Sequence, residues 1–390
     1  MEEQIRIIKN DNSDFRIFLP EKIDFNNSVV LSDALEKIAP DEKTSEIVFD
    51  ADKLVYISSS GLRALLTVQK KFEFVRIENV CDSVYETFSI TGFTEMMTVT
   101  KKLREISTDG LTLLGKGGTA SVYRLDEDRI VKVFSENIDF RTVLNEQRGC
   151  RSAFKAGIPT AIPYELARVG KSYAAVTELV QSSTLTETLA QDPDNIEKNI
   201  DRYADFVTGL NDIKVSLTDF RSMKRHYLDM VDYVREYLDE DEYSCFTGMI
   251  NDIPDGNGFV HGDCHAGNIM CQNGDLLLID MATAGYGNWF FELFCIYFTY
   301  VLVAGMSDPE QSLGLSRDIC AEVWNKTFGV FRTKYPGEDW EETERKCASY
   351  AKLKMLLSTL PEREAAKAYE PILKQLSSDL LSEYNSKKRS

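Results

Sequence analysis

The sequence predicts an α+β protein: a small α/β unit, followed by a larger unit that starts in strands and ends in helices. Three observations carry this. Up to residue 105, short strand-like runs alternate with helical ones. From Leu111 to Phe134, alternating apolar residues flank a glycine cluster, as in antiparallel strands joined by tight turns. Beyond Glu292 the pattern is helical to the end, interrupted chiefly at Pro336 and Pro361. With 390 residues the chain has room for two or three ordinary cores, and the expected boundaries are 1–105, 106–180 and 181–390.

Hydrophobic residues make up 43% of the chain, as expected of a soluble globular protein. The 63 acidic residues outnumber 45 basic ones, for a formal net charge of −18. That excess disfavours nucleic acid and anionic membrane as partners and leaves cationic small molecules and basic proteins open. Acidity also serves solubility alone. The eight cysteines show no Cys-x-x-Cys spacing, and several stand in apolar runs where a reduced thiol acts as a small hydrophobe, which suits a reducing cytoplasm. The stretch Met1 to Ile8 lacks the basic segment and apolar core of a secretory signal. The longest apolar run, Phe294 to Met306, is too short to span a bilayer and is expected as a buried helix.

In the first unit, strands are expected at Phe15 to Leu19, Glu46 to Phe49 and Phe74 to Ile77, and a helix between Val29 and Ala39. A second helix is expected from Gly61 to Phe72, with Leu62, Leu65, Leu66 and Phe72 as its apolar stripe and Ser58-Ser59-Ser60 as the candidate cap. A third would open on the capping-box pattern Ser83-x-x-Glu86. The segments Ile47 to Asp50, Ile57 to Leu66 and Asn79 to Phe93 resemble the STAS family, the fold of anti-sigma factor antagonists. The resemblance implies a regulatory or protein-binding role and makes Ser59 a possible phosphoacceptor, with Ser58 standing where that family has an aspartate. A phosphate on Ser59 would lie at a helix N-terminus, whose amides and dipole favour an anion; the serines serve equally well as plain caps.

After a linker from Arg104 to Gly110, apolar alternation around Gly115, Gly117 and Gly118 predicts a hairpin whose tip can approach phosphates. The next strand should place Ile130, Lys132 and Phe134 on one face. Along Arg141 to Ala156, Val143, Glu146 and Cys150 recur at helical spacing, which sets Glu146 on an otherwise apolar face. A lysine and a glutamate on inward faces of adjacent elements are costly alone and tolerable together. Gly157-Ile158-Pro159 should end that helix. From Leu185 to Asn251 the pattern is helical, with Tyr203, Phe206, Val207 and Leu210 on one face.

The stretch Gly258 to Ala284 holds the densest chemistry. It contains His261-Gly262-Asp263-Cys264-His265-Ala266-Gly267-Asn268, then two apolar runs joined by Asn273-Gly274, then Asp280. The Asn-Gly pair predicts a two-residue hairpin that brings Asn268 and Asp280 to neighbouring strand ends with Asp263 close by. Two carboxylates and an amide are a hard-oxygen set suited to Mg2+ bridged by phosphates, and so to phosphoryl transfer. The alternative, zinc held by His261, Asp263, Cys264, His265 and Cys271, matches no usual ligand spacing.

The octad from His261 to Asn268, followed by Ile279-Asp280, resembles the catalytic loop and metal-binding aspartate of the aminoglycoside phosphotransferase and choline kinase-like family, relatives of protein kinases. The resemblance implies a bilobal kinase-like fold with a helical C-lobe, and ATP and Mg2+ as cofactors. It implies that Gly115, Gly117 and Gly118 cover the phosphates, with Ala120 where protein kinases carry a third glycine. Lys132 held by Glu146 would contact the phosphates, and the hinge around Glu178 and Val180 would bind adenine by its backbone. Asn268 and Asp280 would hold the metal, and Asp263 would be the catalytic base. His261, His265 and Glu292 would be supports, Glu292 standing where relatives usually have an aspartate. The acceptor would be a small hydroxyl compound, cationic ones included, or a protein serine such as Ser59. A nucleotide-sensing scaffold without turnover, with the STAS-like unit as its output, is the reading from a different class.

Overall fold

The computed structural model describes residues 5–9, 15–36, 38, 46–72, 74–272, 274–360 and 363–389. Ala39, Asn273 and Pro361, named above, lie outside the described residues. The chain forms two compact units, Met1–Ser107 and Thr108–Ser390.

The first unit is built on a five-stranded sheet in the order Arg6–Lys9, Phe15–Phe18, Ile47–Asp50, Val75–Val80, Thr98–Lys101. The first pair is antiparallel and the remaining pairs are parallel. Every residue of Ile47–Asp50 is buried, as expected of a central parallel strand. Ile17, Phe49 and Ile77 from the sheet pack with Leu65 and Phe88 from the helices, all five fully buried. Each such side chain contributes about 1.5–3 kcal/mol by leaving water. The longer helices are Phe25–Glu36, Ser59–Gln69 and Asp82–Ile90. Ser58 caps the second, its hydroxyl accepting from the Gly61 N–H at 3.3 Å. The expected capping box at Ser83 does not form. The cap falls two residues earlier, on Cys81, and the helix begins at Asp82; Cys81 makes no side-chain cap bond, its thiol donating to the Leu54 carbonyl instead.

The second unit opens with antiparallel strands in the order Pro163–Val169, Ser172–Glu178, Arg129–Phe134, Ala120–Arg124, Thr112–Lys116. The helix Phe140–Lys155 packs on this sheet. Asp139 caps it, accepting from the Thr142 N–H at 2.8 Å. The strand lobe is fastened to the helical lobe at Leu278, whose N–H donates to the Pro159 carbonyl at 2.8 Å and whose carbonyl accepts from the Thr160 hydroxyl at 2.9 Å.

The helical lobe begins with Leu185–Gln191, Ile196–Leu210, Met223–Tyr233 and Glu240–Asp252. The hairpin Ile269–Gln272 and Asp275–Leu278 follows, and then helices to Arg389. The Arg317–Lys334 helix stops just short of Pro336. The run expected as one buried helix from Phe294 to Met306 is α-helical only to Tyr297. It continues as a π-helix over Phe298–Val303 and closes with Ala304–Met306. Tyr203, Phe246, Phe259, Phe291, Phe294 and Phe331 are fully buried in this lobe's core. Among the described residues no helix is long and apolar enough to cross a membrane.

Candidate active site

Lys132 lies in the middle of Arg129–Phe134, paired across to Val122 on one side and Ala175 on the other. Its ammonium reaches over the sheet to Glu146 Oε1 at 2.7 Å and to Asp280 Oδ2 at 3.3 Å. Burial works against the Lys132 charge, but the two carboxylates outweigh it and hold its pKa above the ordinary value. For Glu146, burial raises the pKa, and Asp280 adds to the rise against the opposing pull of Lys132. Asp280 goes the other way: burial would raise it, but Lys132 and the Ala282 N–H bring it down. One cation thus serves two carboxylates, a balance that favours additional positive charge beside Asp280. Asp280 also has a left-handed backbone, φ 62°, a conformation that costs free energy for a non-glycine residue and tends to occur at functional sites.

The loop before the hairpin leaves the strand Gly258–Val260, which pairs antiparallel with Gly285–Gly287. A Cβ at Gly258 would stand 2.2–2.5 Å from Asn211, so only glycine admits the Asn211 amide that bonds the carbonyls of Phe259 and Gly287. Gly262 turns the chain with φ +76°, the left-handed region that favours glycine. The turn presents Asp263 with a partly exposed carboxylate. Asn268 faces it, its Nδ2 donating to the Asp263 carbonyl at 2.9 Å and to Oδ2 at 3.2 Å. Asn268 is joined to the Asp280 strand by the Ile279 N–H, which donates to its carbonyl at 2.9 Å.

The histidines sit behind and beside this loop. His261 is fully buried; Nε2 donates to the Ile279 carbonyl at 3.2 Å, its own carbonyl accepts from the Thr283 hydroxyl at 2.7 Å, and burial lowers its pKa. It therefore ties Asp263's loop to the residue before Asp280. In His265, Nδ1 accepts from the Gly267 N–H at 3.1 Å, so the neutral ring carries its proton on Nε2, 3.8 Å from Asp263 Oδ2. Glu292 is buried under the loop, and its Oε2 accepts from the N–H groups of His261 at 2.6 Å and Gly262 at 3.3 Å. Its Oε1 is buried without a partner among the described residues, and burial pushes its pKa up to about 7.

Lys132, Glu146 and Asp280 thus form one connected set, and Asp263, Asn268 and His265 another, with His261 linking the two and Glu292 bracing the Asp263 loop. Gly115, Gly117 and Gly118 are apart from these bonds, exposed at the tip of the first hairpin. None has a left-handed backbone, and a Cβ at Gly115 or Gly118 would meet nothing within 4 Å. In the segment expected as the hinge, the Leu179 N–H donates to the Asp128 carbonyl at 2.7 Å, and the buried Val180 accepts from the Ser182 N–H at 2.9 Å. The Glu178 carboxylate accepts from the Ile162 N–H at 3.0 Å. Ser59 belongs to the first unit and is exposed in the opening turn of its helix.

Other supports escaped the sequence reading. The Tyr203 hydroxyl donates to the Cys264 carbonyl at 2.6 Å, and the Tyr300 hydroxyl accepts from the Ala266 N–H at 2.7 Å. The Lys354 ammonium donates to the Gly262 carbonyl at 2.9 Å. Tyr203 gave a signal as a polar-tipped residue on an apolar helix face; Tyr300 and Lys354 gave none.

A family model described as the phosphotransferase enzyme family matches residues 110–318, more than half of the chain. The chain belongs to that family. Residues 5–106 match the STAS domain, so this family member carries a STAS unit ahead of its kinase-like fold. Among solved structures, the chain resembles the aminoglycoside phosphotransferase APH(2'')-Ib with ADP bound, at 15% identity over 77% of this chain and 97% of that one, with a TM-score of 0.44. It also resembles a thermostable mutant of APH(4)-Ia, at 13% identity over 70% and 94% of the two chains and a TM-score of 0.48. A complex of gentamicin with APH(2'')-IIa is similar at 15% identity over 78% and 96%, with a TM-score of 0.45. Among curated protein sequences, none matches this family member.

Proposed function

We propose that the protein is an ATP- and Mg2+-dependent phosphotransferase that moves the γ-phosphoryl group to a hydroxyl acceptor under the influence of its STAS unit. The observation that carries this is the meeting of Lys132, Glu146 and Asp280 from three separate elements, next to the Asp263–Asn268 pair. Such a constellation suits a reaction whose catalysis rests on positioning and charge neutralisation.

The donor set fits Mg2+. It is all oxygen, and the Asn268 amide spends its nitrogen on Asp263, leaving Oδ1 without a donor among the described residues. Asn268 and Asp280 would hold the ion, which when bound supplies neutralising charge on the nucleotide phosphates. Lys132, kept charged and aimed by Glu146, binds the same phosphates. The hairpin glycines are explained by what approaches them: neither packing nor backbone conformation requires glycine at 115 or 118, whereas a phosphate against the main chain does. Glu178 and Val180 supply the hinge backbone for the base. Asp263 accepts a hydrogen bond from the acceptor hydroxyl and takes its proton as that oxygen bonds the γ-phosphorus. The bond from the γ-phosphorus to the bridging oxygen breaks, and ADP leaves with that electron pair. His265 orients the Asp263 carboxylate, and His261 and Glu292 hold the loop.

The test is ATP consumption and intact mass for wild type and Asp263→Asn with Mg2+ and a panel of hydroxyl compounds. Turnover that depends on an added compound and falls by about 10²-fold or more in the variant is expected. Phosphate appearing on Ser59 would make the acceptor a protein serine. Nucleotide binding with no turnover on any acceptor would replace the enzyme by a nucleotide-sensing scaffold.

A further inference from the structure

The overall charge of −18 leaves a cationic acceptor open, but the surroundings of Asp263 have a different character. Arg221 lies in the two-residue strand Arg221–Ser222, fixed in parallel pairing to Gly285. Its guanidinium donates to the Ala282 carbonyl at 3.0 Å and meets His226 Nδ1 at 3.1 Å. Because an arginine can only donate, His226 Nδ1 accepts, and the neutral ring carries its proton on Nε2. From the Trp340–Thr359 helix, Lys354 donates to the Gly262 carbonyl at 2.9 Å and lies 3.3 Å from the Cys295 sulfur and 5.0 Å from the centre of the Phe298 ring. Burial, then Arg221 and then Lys354 push the His226 pKa down to about 3, which sets all three groups within one field.

Among the described residues, neither Arg221 nor Lys354 is ion-paired to a carboxylate. The cations next to Arg221 in sequence are: Lys224 pairs with Asp255 at 2.7 Å and Arg225 with Asp229 at 2.7 Å. Burial works against the Lys354 charge, but Cys295, with Asp263 and Glu292 beyond ion-pairing distance, outweighs it and holds the pKa above the ordinary value, whereas burial lowers Arg221 with no carboxylate opposing it. In so acidic a chain, a cation such as Arg221, held by a carbonyl and a neutral histidine with no carboxylate opposing its burial, costs free energy that an anion would recover. The cluster also has a definite place. Lys354 grips the residue before Asp263, and Arg221 grips the second residue after Asp280, whereas the phosphate-facing cation of the nucleotide, Lys132, is bound to Glu146 and the Asp280 carboxylate.

We propose that Arg221, His226 and Lys354 form an anion site on the acceptor side of Asp263, which takes a carboxylate or phosphate carried by the hydroxyl compound. This rests on the phosphotransferase reading and narrows it: the acceptor is an anionic hydroxyl compound rather than a cationic one. Arg221 supplies the N–H groups left over from its bonds to His226 and Ala282, Lys354 a point charge and His226 a neutral N–H.

The probe is inorganic phosphate, titrated calorimetrically into the full-length protein saturated with Mg2+ and a non-hydrolysable ATP analogue. Phosphate is expected to bind to this complex and to lose at least about tenfold in affinity in Arg221→Gln and in Lys354→Met. Thermal melts without phosphate check the fold; should Lys354→Met fail to fold, the more exposed Arg221→Gln decides alone. No binding, or equal affinity in wild type and Arg221→Gln, overturns the site. Phosphate that binds only without the analogue overturns the acceptor assignment and gives the cluster to the transferred phosphoryl group. Failure of the analogue itself to bind would count against the phosphotransferase reading, and phosphate binding would still be read on the analogue-free protein.

Discussion

At the scale of single residues, Glu292 makes a sharp statement about pH. Its carboxylate is 2% exposed, accepts two backbone N–H groups through one oxygen, and has its pKa pushed by burial to about 7, against 4.5 for an ordinary glutamate. Between those values the folded chain keeps a proton that the unfolded chain has lost, so raising the pH through this window weakens the fold. The contribution is roughly 3 kcal/mol across the window. Glu292→Gln keeps an acceptor for the loop and removes the titration. Urea unfolding at pH 5 and pH 8 should therefore show the variant gaining on wild type at the higher pH; parallel pH dependences would refute it. The same residue shows what the sequence could tell. A carboxylate at this position was readable as a brace from the motif around it, but its burial and unpaired Oε1 depend on packing contacts with no local signature.

At the scale of elements, local chemistry was legible where a short segment decides its own shape. Gly274 closes a hairpin in the register Gln272 to Asp275, as the Asn-Gly turn requires. Lys132 and Glu146 meet because strand alternation and helical periodicity each fix a face. Ser58 caps its helix for a similar local reason, and Ser58→Ala should cost the first unit about 1 kcal/mol. Chemical denaturation followed by a probe in that unit would check this, and no loss of stability would mean the hydroxyl bond to Gly61 is idle. The third helix shows the limit of such patterns: Ser83 and Glu86 have the right spacing, but the cap falls two residues earlier, on Cys81, whose thiol bonds the Leu54 carbonyl. The π-helix at Phe298–Val303 is a change of phase that apolar composition does not reveal. It carries Tyr300, whose hydroxyl meets the loop that holds Asp263, and Lys354 approaches the same loop from a helix about ninety residues further along the chain. Contacts of that separation leave no periodic trace.

At the scale of the whole molecule, each unit has its own buried core, one around Phe49, Ile77 and Phe88 and the other around Phe246, Phe259 and Phe294. Two such cores support separate cooperative unfolding, so calorimetry of the full chain should resolve two transitions. Every residue assigned to nucleotide and metal belongs to Thr108–Ser390. Nucleotide with Mg2+ should then stabilise that unit alone. At a hundred times the dissociation constant, binding to the folded state contributes about 2.7 kcal/mol, which for a unit of this size moves the midpoint by roughly 5 °C. The expected thermogram has one transition displaced by that amount and one unmoved. A single transition that shifts as a whole would show that the STAS unit and the phosphotransferase unit unfold together. Two transitions that both ignore nucleotide would remove the binding on which the proposed reaction depends.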